Sequence, residues 1–172
     1  MSTLPPAPFP FRRFLAPRYW LTWLALAGLW GLARLPTGML YRIGQLLGTA
    51  MRIFSPRRRR VAQINLRLCF AQLDEATRHT LLVQHFYALG QGLVETALCW
   101  FAPARRLRAL GRIEGLEHLQ TALQRGQGAI ILIGHFTSME IAGTLLAMHT
   151  PLRVTYRRHS NPLFEAVMAR AR

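Results

Sequence analysis

The sequence contains no lysine. All 22 basic side chains among its 172 residues are arginines, and only seven carboxylates oppose them, which gives a formal net charge of +15. The missing lysine excludes Schiff-base chemistry and the lysine that contacts phosphates in nucleotide-binding loops. A chain of this length can form one packed domain with an appendage.

Acidic residues are absent from residues 1–73, where eleven arginines occur, four of them consecutively at residues 57–60. A surface of this kind attracts anions. The candidates are nucleic acid, an anionic membrane face, and a phosphorylated or acidic carrier partner. Composition alone leaves all three open.

Cysteine is scarce. Cys69 and Cys99 are too few and too far apart for a disulfide framework or a CxxC metal site, and both lie in apolar helical patterns. We interpret them as reduced core residues. No cluster of histidine, cysteine and carboxylate has metal-ligand spacing, and no glycine-rich phosphate loop follows a strand, so we predict neither a metal nor another cofactor.

The first 60 residues divide into two regions. Prolines interrupt residues 1–17, which we predict to be a flexible basic leader. Residues 19–33, YWLTWLALAGLWGLA, carry no charge and lie between Arg18 and Arg34. This run is shorter than the ~20 residues of a perpendicular membrane span, although snorkelling arginines could extend it. We therefore predict a membrane-inserted or monotopic anchor followed by interfacial helices over residues 18–60, with a buried core helix as the alternative.

The third region, residues 61–172, is predicted to be α/β. Residues 74–101 have the apolar periodicity of one long amphipathic helix. Farther on, AIILI at 129–133 and LRVTY at 152–156 are predicted strands that alternate with helices, and the first has no polar face. This order predicts a mostly parallel sheet flanked by helices.

Local stop and start signals accompany these helices. Gly126 follows the helical pattern of LEHLQTALQR at the position where a left-handed cap is needed. Asn161 and Pro162 predict the start of the last helix, with asparagine as the cap and proline in the first turn.

His135 comes just after the predicted strand 129–133, and Glu140 follows five residues later. In open α/β sheets, functional groups gather where strands end. Residues 137–140 also fit a T-x-x-E capping box, which is the structural alternative for the glutamate. Both interpretations allow the carboxylate to orient the imidazole and stabilise an imidazolium. Because no serine or cysteine is clearly placed as a nucleophile, the pair predicts a general base that activates a substrate hydroxyl for direct acyl transfer.

Several stretches together resemble the bacterial lipid A biosynthesis acyltransferases of the late, lauroyl and myristoyl type. They are NLRLCF (65–70), HFYALGQGLVE (85–95), IEGLEHLQTALQRGQGAIILIGHFTSMEIAG (113–143) and YRRHSNPL (156–163). The likeness begins near Trp20 and runs to the last residue. It implies a glycerolipid-acyltransferase-like enzyme of the bacterial inner membrane, with an N-terminal membrane helix and its catalytic part on the cytoplasmic side.

Such an enzyme is expected to move a fatty acyl chain from acyl carrier protein to a hydroxyl of a phosphorylated glycolipid, without a cofactor or a nucleic-acid partner. By the same resemblance, His135 matches the catalytic base and Glu140 its acidic partner. Arg157, Asn161 and Arg172 match substrate-binding positions.

Two departures from the family pattern stand out. Arg158 replaces the usual proline, and the chain ends at Arg172, inside the last predicted helix. We therefore expect residues 61–172 to be an incomplete, N-terminal part of the acyltransferase domain that is poorly folded or weakly active alone. The alternatives are a non-catalytic membrane-anchored basic module, binding anionic lipid or nucleic acid through residues 57–60, and an acyltransferase for another glycolipid such as a phosphatidylinositol mannoside.

Overall fold

The computed structural model describes residues 9–126 and 128–171, and over these residues the protein is helical. Short 3-10 turns at Phe11–Phe14 and Pro17–Tyr19 precede the α-helices. The helices are α1 Trp20–Leu32, α2 Thr37–Phe54, α3 Pro56–Cys69, α4 Glu75–Phe101, α5 Ala104–Arg108, α6 Leu116–Gln124, α7 Met139–Ala147 and α8 Pro162–Ala171.

The predicted α/β sheet is wrong, because no strand occurs among the residues described. Residues 128–136 and 151–159 follow an irregular course instead. The side chains of Ile130 and Leu132 are 101% and 97% exposed. A strand depends on hydrogen bonds to the backbone of a neighbouring strand, whereas a helix makes its hydrogen bonds within one segment. The apolar runs have strand composition, but the described part of the chain supplies no backbone ladder for them.

The predicted spanning anchor is also wrong. In the part of the chain that the structure covers, no helix is both long enough and apolar enough to cross a membrane. Helix α1 has 13 residues, or ~20 Å, against the ~30 Å of a hydrocarbon core. Helix α1 does not continue into α2, because Pro36 lies between them in an extended conformation, with φ −58° and ψ 147°. Pro36 is the N-cap residue of α2.

The long helix predicted over residues 74–101 is confirmed as α4, and α1, α2, α3, α7 and α8 all pack against it. Its N-cap is Asp74, whose side chain accepts a hydrogen bond from the N–H of Thr77 at 2.7 Å. This contact lowers the pKa of the Asp74 carboxyl. The chemistry that starts the helix is therefore local.

The apolar periodicity of residues 74–101 predicts the buried face of α4 only in part. Leu82, Phe86 and Ala97 are buried, but Leu93 is 47% exposed. Val94 is buried in its place. The apolar residues of α4 recur with a helical period, as predicted. Several helices contact α4 from different sides, so its buried residues do not all lie on one face.

Glycines allow α2 and α4 to cross at backbone contact. A Cβ at Gly90 would lie 2.0 Å from the carbonyl oxygen of Gly44, and one at Gly48 would lie 2.3 Å from that of Phe86. Real side chains do not approach so closely, so this crossing requires residues without a Cβ. It places α4, and the residues near its C-terminal end, relative to the N-terminal helices.

A second core joins the N-terminal turns to the C-terminal helix. Phe14, Tyr19, Leu26 and Leu163 are buried together. The indole of Trp23 donates to the carbonyl of Phe14 at 2.9 Å. Of the predicted flexible leader, residues 1–8 lie outside the described residues, while residues 9–17 include the buried Phe14. Its flexibility stays a prediction.

The helix stop at Gly126 is confirmed. Helix α6 ends at Gln124, and Gly126 has φ +73°, a left-handed conformation that glycine adopts without steric cost.

Candidate active site

Glu140 lies in the first turn of α7, and its side chain is half-buried. The N-cap of this helix is Ser138, which makes no side-chain cap hydrogen bond. The T-x-x-E capping box considered from the sequence is therefore not formed. The carboxylate turns toward α4 instead.

Trp100, in the last turn of α4, holds this carboxylate. Its indole Nε1–H donates to Oε1 of Glu140 at 3.1 Å. Its ring also packs on Phe164 of α8, with the centroids 5.0 Å apart. Three helices, α4, α7 and α8, thus meet at Trp100.

The sequence analysis did not identify Trp100 as a functional candidate. A signal was present: the tryptophan lies near the end of the apolar pattern of residues 74–101, and an indole N–H that is removed from water needs an acceptor. The sequence pattern does not identify the acceptor, because Glu140 is 40 residues away along the chain.

A second carboxyl group lies near the first one. Burial raises the pKa of the Glu95 carboxyl, and its Oε2 has no hydrogen-bond partner among the described residues. Burial also raises the pKa of the Cys99 thiol; a hydrogen bond with Thr144 opposes the shift, and the charges of Glu140 and Glu95 add to it. Glu95 and Cys99 on α4 are therefore partly removed from water, and the thiol lies within electrostatic range of the carboxyl groups of Glu95 and of Glu140 on α7.

His135 lies in the irregular segment between α6 and α7, and its side chain is exposed. Within the described residues, no hydrogen bond joins its imidazole to Glu140. The segment is nevertheless close to α4, because a Cβ at Gly92 would lie 2.8 Å from the carbonyl oxygen of Thr137. The structure places the two predicted catalytic residues at one end of α7 without pairing them.

Asn161 connects two helices. Its Oδ1 accepts from the N–H groups of Leu163 and Phe164 at 3.0 and 3.2 Å, which confirms the predicted cap of α8. Its Nδ2 donates to Oγ1 of Thr22 on α1 at 2.8 Å. The predicted substrate-binding role of Asn161 stays a prediction beside this structural one.

Arg157 is exposed in the segment that precedes α8. Glu165 fastens this segment by accepting from the N–H of His159 at 2.8 Å and from the hydroxyl of Tyr156 at 2.7 Å. These two hydrogen bonds lower the pKa of the Glu165 carboxyl. The other predicted substrate-binding arginine, Arg172, lies outside the described residues.

The helical chain with this pair of residues at α7 belongs to the bacterial lipid A biosynthesis acyltransferase family, whose model matches residues 10–172. This confirms the family that the sequence motifs predicted. A lipid A biosynthesis palmitoleoyltransferase from Escherichia coli is 40% identical over 161 residues, which is 94% of this chain and 53% of the relative.

A lipid A biosynthesis lauroyltransferase from the same organism is 36% identical over 151 residues, covering 88% of this chain and 49% of that one. A lipid A biosynthesis acyltransferase from Haemophilus influenzae is 33% identical over 165 residues, at 92% and 51% coverage. The chain spans about half the length of these relatives. No solved structure matches it.

Proposed function

We propose that this chain serves in acyl transfer to a lipid A precursor, moving a fatty acyl group from an acyl carrier protein thioester to a hydroxyl of the phosphorylated glycolipid. The observation that carries the proposal is the family match over residues 10–172, which includes both His135 and Glu140. The palmitoleoyltransferase and lauroyltransferase relatives are named for this class of reaction.

In the proposed reaction, His135 accepts the proton of the lipid hydroxyl as its oxygen attacks the thioester carbonyl. A C–O bond forms, the C–S bond breaks, and the imidazolium returns the proton to the departing thiolate. The carboxylate of Glu140 stabilises the imidazolium. The mechanism requires the exposed segment around His135 to bring the imidazole to Glu140 when the substrates bind, since catalytic hydrogen bonds often tighten only in the complex.

The outer surface of α2 and α3 supports a place at the cytoplasmic face of the bacterial inner membrane. Met39, Leu46 and Ile53 recur every seven residues along α2 and are 51%, 69% and 53% exposed. Residues 57–60 add four arginines at the start of α3. Exposed apolar side chains beside arginines suit the interface of an anionic bilayer, and arginines also suit an acidic carrier protein.

The test is a mass-spectrometric assay of membranes that contain the chain, supplied with an acyl carrier protein thioester and a lipid A precursor. His135→Ala is compared with the wild type and with His149→Ala, an exposed histidine beyond the C-terminal end of α7. We expect a new ester mass with the wild type and the His149 variant only. No product from the wild type refutes acyl transfer by this chain, and product from His135→Ala refutes the assignment of the base.

The same assay tests the alternative of a non-catalytic basic module. A variant with residues 57–60 changed to glutamine is expected to lose membrane association, and the His135 variant is expected to keep it. Membrane association that depends on residues 57–60, together with no ester product from the wild type, would favour the non-catalytic module.

A further inference from the structure

A cleft of about 970 Å³ lies between the C-terminal end of α1 and the start of α5. Arg34, Arg105 and Arg106 line it, and Ala33 and Phe101 contribute apolar surface. The cleft therefore combines positive charge with an apolar wall.

Contacts with the protein hold two of the three guanidinium groups in place. Arg106 donates to the carbonyl oxygen of Ala33 at 2.6 Å and also to that of Leu35. Arg34 donates to the carbonyl oxygen of Trp30 at 3.1 Å and lies 3.5 Å from the centroid of the Trp30 ring. A guanidinium has five N–H donors, so these contacts leave others available. Both arginines are thus preorganised for an anion.

The positive charge of the cleft is not neutralised by nearby carboxylates. Among the described residues, no ion pair joins a carboxylate to Arg34, Arg105 or Arg106. The contacts that hold Arg34 and Arg106 use carbonyl oxygens and a ring, which leave the net charge intact. An anionic ligand would supply the missing charge.

The surroundings of the cleft favour an amphiphilic ligand. Trp30, which supports Arg34, is 50% exposed. A ligand with its charged group among the arginines can lay an apolar chain along this surface.

We infer that this cleft binds the phosphate group of a lipid, with Arg34 and Arg105 contacting phosphate oxygens and Arg106 holding the end of α1 while adding charge. Arginine suits this ligand because its planar guanidinium donates two parallel hydrogen bonds to a phosphate. The choice of a lipid rests on the proposed function. The last turn of α4 carries residues of both places, Phe101 in the cleft wall and Trp100 on Glu140.

The test measures binding of dihexanoyl phosphatidic acid, as monomers in solution, to the purified chain by isothermal titration calorimetry. The cleft variant is Arg34→Gln with Arg105→Gln. Its matched control is Arg125→Gln with Arg153→Gln, which removes the same charge at two exposed positions outside the cleft. Arg106 is left intact because it caps α1, and Arg105→Gln alone provides a variant at an exposed position.

We expect saturable one-to-one binding, weakened roughly tenfold or more in the cleft variant by loss of charged hydrogen bonds and unchanged in the control. Equal weakening in both variants would overturn the proposal, since it would indicate attraction to overall charge. Inorganic phosphate that binds as tightly as the lipid would overturn the lipid assignment. The assay contains no acyl donor, so it does not depend on catalysis. We expect His135→Ala to bind the lipid as tightly as the wild type does, and this result would support the phosphate site even if the proposed catalytic role of His135 failed.

Discussion

The indole N–H of Trp100 donates to a carboxylate oxygen of Glu140 at 3.1 Å, and this hydrogen bond joins the last turn of α4 to the first turn of α7. A charge-assisted hydrogen bond favours the ionised carboxylate and limits its orientations. In the proposed reaction, the ionised form is the one that stabilises an imidazolium. Trp100 therefore acts as a positioning residue for Glu140.

The Trp100→Phe substitution keeps an aromatic ring against Phe164 and removes the N–H. We expect turnover in the acyl-transfer assay to fall roughly tenfold, with KM for the thioester little changed, because one charged hydrogen bond is lost. Trp20→Phe is the control, since its indole donates to the carbonyl of Leu15 on an exposed surface. Wild-type turnover in Trp100→Phe would contradict the positioning role.

The crossing of α2 and α4 predicts strong sensitivity at Gly90. In Gly90→Ala, the new methyl would meet the carbonyl of Gly44, so we expect a loss of about 1–3 kcal/mol or more in the free energy of unfolding. Thermal unfolding followed by circular dichroism measures it. Gly28→Ala on α1, where no atom lies within 4 Å of the added Cβ, is expected to be neutral or stabilising. Equal melting temperatures for the two variants would argue against backbone contact at this crossing.

Asn161 is predicted to contribute to stability through two separable contacts. Asn161→Ala removes the cap of α8 and the hydrogen bond to Thr22, at a cost of about 1–2 kcal/mol. Asn161→Asp keeps the acceptor and should lose less, and Thr22→Val isolates the bond between helices. Denaturant unfolding measures the stability changes. A rise in KM at wild-type stability would instead favour the substrate-binding role predicted from the sequence.

Glu95 is predicted to make the protein less stable as the pH rises. Burial raises the pKa of its carboxyl above the ordinary value of 4.5, so the native state holds this proton more tightly than the unfolded state does. Stability then falls as the pH increases from the ordinary pKa through the raised one, and the penalty persists above it. Glu95→Gln removes this titration.

We therefore expect Glu95→Gln to melt at a higher temperature than the wild type at neutral pH, with a smaller difference in mild acid. Glu117→Gln, at a side chain that is 73% exposed, serves as the control. Thermal unfolding across this pH range provides the comparison. A lower melting temperature for Glu95→Gln at neutral pH would show that the charged form of Glu95 is stabilised in the native state.

Features with local causes were predictable. The extent of α4 follows from an apolar period and the cap at Asp74, and the start of α8 follows from Asn161 and Pro162. The stop of α6 follows from Gly126. In each case the deciding hydrogen bonds or backbone angles lie within a few residues, so the sequence pattern carries the information.

Features that depend on distant partners were not predictable in the same way. The run at 129–133 has the composition of a buried strand, yet strand formation requires a second backbone beside it, and Ile130 is fully exposed. The span predicted around residues 19–33 failed because the helix is interrupted before Pro36. Apolar composition limits where such elements can occur, but neighbouring chain segments decide whether they form.

By itself, the sequence determined the family, the positions of His135 and Glu140, the arginine excess and the helices with strong local caps. Only the tertiary structure decided that Glu140 turns from its own helix cap to Trp100 and that Arg34 and Arg106 come together across a cleft. The physical reason is that caps and apolar periods act over one or two helical turns. Contacts between helices depend on how closely their backbones approach, which is set here by the glycines where α2 crosses α4.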